Sequence, residues 1–221
     1  MGVVFADAAL GGAYQIVAEM PSSTGRLTVR VLEGQTPLCS IELPYPGGGL
    51  GGGTFVVSPT GRYAILSIFS GQSEQGYELF KLDGERIEKI EHVGSLPYVI
   101  GMGADFAFAP GEQQFAMVMA FDCDFDLHDD RWEDKDLEVR DGLRIYPFGE
   151  LRLHTIATGG IETYSIDVAV RLGSEPEARP GWSDRLGVAF PNSQEVLFNL
   201  PWGTRVTIGV PPRQGWVLVE A

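Results

Sequence analysis

A pattern of apolar strand, proline corner and second apolar strand occurs three times in this chain, and it restricts the fold more than any other feature. The copies span residues 53–66, 103–118 and 185–198, with Pro59, Pro110 and Pro191 between their two apolar runs. Proline presets φ near −65° at a corner and withdraws a donor that no ladder there needs. Each copy therefore reads as a hairpin.

The rest of the chain agrees. Twenty-nine glycines and fourteen prolines interrupt it every few residues, which leaves room for short strands joined by turns and little room for helices. Leu27, Val29 and Val31 alternate with Arg26, Thr28 and Arg30, and Cys39, Ile41 and Leu43 alternate with Leu38, Ser40 and Glu42, giving two strands. Leu151, Leu153 and Thr155 form another, and Tyr164, Ile166, Val168 and Val170 its partner across the Gly159-Gly160 turn. Two of the repeated cores are followed by a further strand pair, residues 77–82 with the Asp83-Gly84 turn and residues 143–148 with Gly149-Glu150. Residues 85–92 are read as an outer strand. Four strands per unit is the anatomy of a propeller blade.

On these residues the chain resembles WD40-like propeller repeats of the TolB type, whose blades carry a Ser-Pro-Asp-Gly turn between their first two strands. Ser58-Pro59-Thr60-Gly61 is the nearest match, Ala109-Pro110-Gly111-Glu112 is looser, and Phe190-Pro191-Asn192-Ser193 is loosest. The resemblance covers residues 53–200. It implies an all-β fold, a small or incomplete β-propeller of four-stranded antiparallel blades, formed as a single domain over residues 1–221. An incomplete propeller would expose strand edges to a second copy of the protein.

The proline corners are unevenly spaced, 51 residues from Pro59 to Pro110 and 81 from Pro110 to Pro191, so the second unit carries an insertion. Residues 122–141 lie in that gap and hold eight aspartates and two glutamates against Arg131, Lys135 and Arg140, half of the net charge of −14. Such a balance opposes nucleic-acid phosphates and anionic membranes and favours basic partners or cations.

The insertion is expected to dock on a basic protein. Asp124, Asp126, Asp129, Asp130, Glu133, Asp134 and Asp136 would meet lysine and arginine, with Phe125 and Trp132 as apolar anchors. An antitoxin or immunity protein could cover the cationic cleft of a nucleic-acid-cleaving enzyme in this way. The alternative is a divalent-cation site, with calcium held by Asp122, Asp124, Asp126 and Glu133 at the first, third, fifth and twelfth positions of an EF-hand-like loop, used by a binder or hydrolase. Leu127 stands where that loop needs glycine, and the apolar run before it reads as strand where a helix belongs.

Other candidates carry less. Residues 47–53 contain a GxGxxG pattern but precede a strand expected from Thr54, so no helix N-terminus is there to hold a phosphate. His92, His128 and His154 fall in no catalytic framework, and the reading is against an enzyme and against a cofactor. Cys39 and Cys123 stand apart with no CxxC pair. Trp182, Trp202 and Trp216 are expected to seal the last blade. Nothing resembling a leader precedes Asp7, and no apolar window approaches membrane-spanning length, so a cytoplasmic protein is expected.

Overall fold

The computed structural model describes residues 3–20, 26–44, 50–70, 74–90, 99–100, 104–120, 139–171, 187–199, 205–210 and 216–220. Among them there is no helix, and so none long and apolar enough to cross a membrane. The strands form four sheets in two compact units, residues 1–99 and 100–221.

In the first unit β1 (Val3–Gly11), β2 (Tyr14–Met20), β3 (Arg26–Glu33) and β4 (Thr36–Pro44) make a four-stranded antiparallel meander. β5 (Leu50–Val57), β6 (Tyr63–Ser70), β7 (Glu74–Asp83) and β8 (Arg86–Lys89) make a second, with β9 (Val99–Ile100) beside β7. Alternation along β3 puts Leu27, Val29 and Val31 on one face, where Ile16, Ala18 and Leu43 join them. Ala64, Leu66, Phe80, Leu82 and Ile87 of the second sheet complete this core. Ile65 and Leu79 pair on the reverse face of that sheet and are just as buried. A strand covered on both faces is apolar at consecutive positions, as Ala64, Ile65 and Leu66 are.

In the second unit β10 (Ala104–Phe108), β11 (Gln114–Ala120), β13 (Leu143–Thr155) and β14 (Gly160–Arg171) follow the same antiparallel order, with β12 (Val139–Arg140) on the start of β13. Residues 115–119 are buried without a break, again the mark of a strand covered on both faces. β15 (Gly187–Asn192), β16 (Glu195–Asn199) and β17 (Arg205–Gly209) form a three-stranded sheet. β18 (Trp216–Glu220) pairs in parallel with β14. Asp105 on β10 accepts the Val188 N–H of β15 at 2.7 Å, which joins these two sheets through their first strands.

One backbone bond recurs in all four sheets. The residue just before the second strand offers its carbonyl to an N–H at the end of the third: Gly34, Ile156 and Val210, each just beyond that strand, to Ala13, Gln113 and Gln194 at 3.0, 3.0 and 2.7 Å, and Leu82, the last residue but one of β7, to Arg62 at 2.7 Å. The bond extends each antiparallel ladder by one rung into the turn. It is a feature that the four sheets share. The copy in residues 3–44 was not recognised from sequence, because its corner is Gly11-Gly12 with φ of 109° and 61° and holds no proline.

The proline corners are only partly as expected. At Ser58-Pro59-Thr60-Gly61 the Gly61 N–H reaches the Ser58 carbonyl at 2.9 Å, and Ser58 Oγ accepts the Tyr63 N–H at 3.0 Å. Serine first, proline second and glycine fourth is the composition of a type I turn. Ala109-Pro110-Gly111-Glu112 repeats it, with Glu112 donating to Ala109 at 2.8 Å and taking the left-handed φ of 54° that Gly61 takes at 73°. In the third copy the corner is Ser193-Gln194, since Asn192 pairs with Glu195. Pro191 instead sits inside β15 where the register shifts, on an edge strand that can lose a donor.

Candidate functional site

The acidic insertion follows β11, which ends at Ala120 in the middle of the third sheet. Asp122, Asp124, Phe125, Asp126, Asp129, Asp130, Trp132, Glu133, Asp134 and Asp136 all lie outside the described residues, as do Cys123 and His128. The structure does describe where the chain returns. Val139 and Arg140 pair with Arg144 and Leu143, and Asp141 and Gly142 connect them with φ of 52° and 81°. Two successive left-handed residues are what a two-residue type I′ hairpin requires, and Asp-Gly is among the pairs that supply them at least cost.

That returning hairpin stands on an extension of the sheet. Residues 149–155 of β13 pair with β11, while residues 143–147 run past it and pair with β12 and with residues 167–171 of β14. Gly149-Glu150, read from sequence as a turn closing a separate strand, is no turn. Pro147 and Gly149 are absorbed at a register shift, and β13 continues through them as one strand of 13 residues. A bulge lets a strand carry a proline and a glycine without ending. The outer hairpin thus overhangs β10 and β11 by about five residues, or roughly 17 Å at ~3.4 Å per residue. The end of the acidic insertion is anchored on this overhang.

β18 lies along the outer side of the same hairpin, Trp216 opposite Ser165 and Glu220 opposite Ala169. Trp216 therefore belongs to the third sheet, and not to the last as the sequence suggested; Trp182 and Trp202 lie outside the described residues. The strand expected from Thr54 begins earlier, at Leu50, so Gly51, Gly52 and Gly53 are part of β5. No helix follows them.

Several basic groups on the described sheets are matched by neighbouring carboxylates. Arg26 meets Glu42 at 2.7 Å, Arg30 meets Glu19 at 3.0 Å and Lys89 meets Glu78 at 3.0 Å. On β13 the Arg152 guanidinium holds Glu150 through both Nε and an outer nitrogen, at 2.8 and 2.7 Å. The Arg26–Glu42 pair is exposed and contributes little to stability, whereas the Lys89–Glu78 and Arg152–Glu150 pairs are half-buried.

The titratable groups of the described residues do not converge on acid-base chemistry. His154 is buried and stacked on Phe115, and burial first, then the like charge of Arg152, pushes it down to about 4. It occupies in its sheet the place that Phe80 holds in the second, two residues before the recurring N–H donor. It is a core residue in its neutral form. Tyr164 donates to Glu162 at 2.6 Å, and burial together with that carboxylate raises the phenol to about 12. Burial also raises the free thiol of Cys39. Among the described residues no three His, Cys, Asp or Glu side chains gather to hold a metal ion.

No family model matches the chain. No curated protein sequence matches it either. Similar solved structures include Hsv2p of Kluyveromyces lactis, at 9% identity over 89% of this chain and 51% of that one, with a TM-score of 0.40. The uncharacterized protein lmo1340 of Listeria monocytogenes EGD-e is 13% identical over 93% and 65%, with a TM-score of 0.32. TolB of Acinetobacter baumannii is 13% identical over 87% and 51%, with a TM-score of 0.26. The chain spans between 51% and 65% of the length of these three proteins.

Proposed function

We propose that the four sheets are blades of one small or incomplete β-propeller of the TolB type, and that the domain is a non-enzymatic binder of a basic protein partner. Its contact element is the acidic insertion. The role that fits is an antitoxin-like or immunity-like inhibitor, acting in the cytoplasm, whose carboxylates cover a cationic cleft built for phosphates. The recurring bond between second and third strands supports the blade reading, because it appears in all four sheets, including the first, where no proline corner marks a repeat.

The observation that carries the binding reading is the concentration of charge. Residues 122–141 hold half of the chain's net negative charge on a segment anchored at Val139–Arg140 to the overhanging end of β13. A concentrated run of carboxylates whose end is held on a sheet suits contact with a cationic cleft.

The test compares the native chain with a variant carrying Asp124→Asn, Asp126→Asn, Asp129→Asn and Asp130→Asn as bait in extracts of the source cell, at low and high salt. A basic protein held by the native chain at low salt, released by high salt and missed by the variant is the expected result. Calorimetric titration with calcium and manganese addresses the cation alternative. Micromolar binding abolished by Asp124→Ala and Glu133→Ala would overturn the protein-docking account.

A further inference from the structure

Among the described residues the last sheet has three strands where the other three have four or more, and its outer strand β17 has one neighbour. Which backbone groups it leaves open follows from the ladder. Val210 donates to Gln194, so in the same register Val206 and Ile208 turn their N–H and C=O toward Phe198 and Val196 of β16. Backbone polarity alternates along an antiparallel strand, and Arg205, Thr207 and Gly209 therefore turn theirs toward the edge that no described strand covers.

We propose that this edge pairs with β17 of a second copy of the chain, antiparallel and centred on Thr207. The two-fold axis then passes between two Thr207 residues, and Arg205 of each copy lies opposite Gly209 of the other. The pairs 205/209, 207/207 and 209/205 are all of the hydrogen-bonded kind, so every outward N–H and C=O on the edge is satisfied. Side chains agree with the same register. Val206 and Ile208 are half-buried and meet each other across the join, while Arg205, Thr207 and Gly209 share the exposed face.

Charge selects this register. Glu195 of β16 is paired with Gly209, so Arg205 of the second copy, Gly209 and Glu195 fall in one row on one face. Glycine places no side chain between the other two. The guanidinium can extend over it to the carboxylate, a separation of about two strand spacings or ~10 Å between Cα atoms. Symmetry makes this pair twice. A shift by two residues in either direction forfeits it and leaves outward groups unpaired. The association is isologous, as most two-fold assemblies are, and it rests on β17 and Glu195 alone, independently of the acidic insertion.

Sedimentation equilibrium of the full chain tests the proposal. The native protein should be a dimer in the micromolar range, and Thr207→Glu, which sets two carboxylates face to face on the axis, should make it monomeric. Thr207→Pro should do the same while leaving the sheet folded by circular dichroism, because the lost N–H is one that β16 does not use. Arg205→Glu should weaken the dimer by roughly tenfold or more, and the double variant Arg205→Glu with Glu195→Arg should restore it. A native chain that stays monomeric to about 0.1 mM, or a dimer indifferent to Thr207→Glu and Thr207→Pro, overturns it. So does a monomer whose Arg205, Thr207 and Gly209 amides resist hydrogen exchange, since the edge would then be filled from within the same chain.

Discussion

The His154 imidazole lies flat on the Phe115 ring, centroids 4.4 Å apart and planes within 5° of parallel. The two are cross-strand partners, with Phe108 next to Phe115 in the same row. The row is an aromatic stripe in which one ring is a base held neutral. Its consequence for stability depends on pH. The folded value is near 4 and the ordinary value is 6.5, so between them the unfolded chain binds a proton that the folded chain refuses. Stability is fully present above about pH 6.5, falls as pH drops toward 4, and stops changing from this source below that. At about pH 5 the loss should be on the order of 2 kcal/mol. Phe80 fills the equivalent place in the second sheet, so His154→Phe should fold and lack this component. Urea unfolding of both proteins at about pH 7.5 and about pH 5 measures it. An equal loss in both would assign the effect to other groups.

Gly61 provides a sharper backbone test. It sits at a φ of 73°, and a Cβ built there would come within 2.7 Å of the Leu10 carbonyl oxygen. Gly12 has a comparable φ of 61° but open space around it. Gly12→Ala should therefore cost only the left-handed conformation, about 1–2 kcal/mol, and Gly61→Ala that plus displacement of the β1 backbone. Thermal unfolding should rank them in that order. If the two substitutions prove equal, the close approach of Leu10 to the Ser58–Gly61 corner is not energetically significant.

Asp105 links two sheets through one short bond. Its Oδ2 accepts the Val188 N–H at 2.7 Å, and an ionised acceptor makes that bond stronger than a neutral one. Asp105→Ala should destabilise the chain by about 1.5–3 kcal/mol. It should also speed hydrogen exchange at Val188 beyond what the global loss explains. Exchange at Val188 that merely tracks global unfolding would mean that the bond does not hold β15.

The Ser58 hydroxyl makes a smaller, local prediction. It is buried and accepts the Tyr63 N–H at 3.0 Å, so Ser58→Ala leaves that donor without this acceptor. The expected cost is about 1 kcal/mol, close to the typical worth of a part-buried hydrogen bond. The third sheet already has alanine at the matching position, Ala109, where the Gln114 carbonyl still receives the Ala109 N–H at 2.9 Å. Denaturant midpoints decide it, and an unchanged midpoint would mean that water replaces the hydroxyl.

Where the sequence could be read correctly, the structure depends on local rules. Leu27, Val29 and Val31 alternate because one face of β3 is buried, and Pro59 and Pro110 mark corners because a type I turn favours proline second. Where it could not, distant pairing decides. Pro147 and Gly149 look like breakers, yet β14 holds both sides of the bulge and β13 runs on. The place of β18 beside β14 is fixed by a parallel partnership across about fifty residues, which no periodicity announces. The first sheet went unrecognised for a third reason. Its β1–β2 corner uses glycine alone, so the composition that revealed two other copies is missing. For the candidate site the charge and its limits are legible in the residues themselves, and the structure adds the Val139–Arg140 anchorage on β13.

The bonds from Gly34 to Ala13, Leu82 to Arg62, Ile156 to Gln113 and Val210 to Gln194 use main-chain atoms at both ends. A rule written in the backbone places almost no demand on the alphabet above it: any residue can accept, and any but proline can donate. Sheets tied in this way can share a geometry while the letters at the tied positions differ. Tolerance at the exposed acceptors Ala13, Arg62, Gln113 and Gln194 should therefore be broad, whereas three of the donors carry further demands, since Gly34 has a φ of 60° and Leu82 and Ile156 are buried.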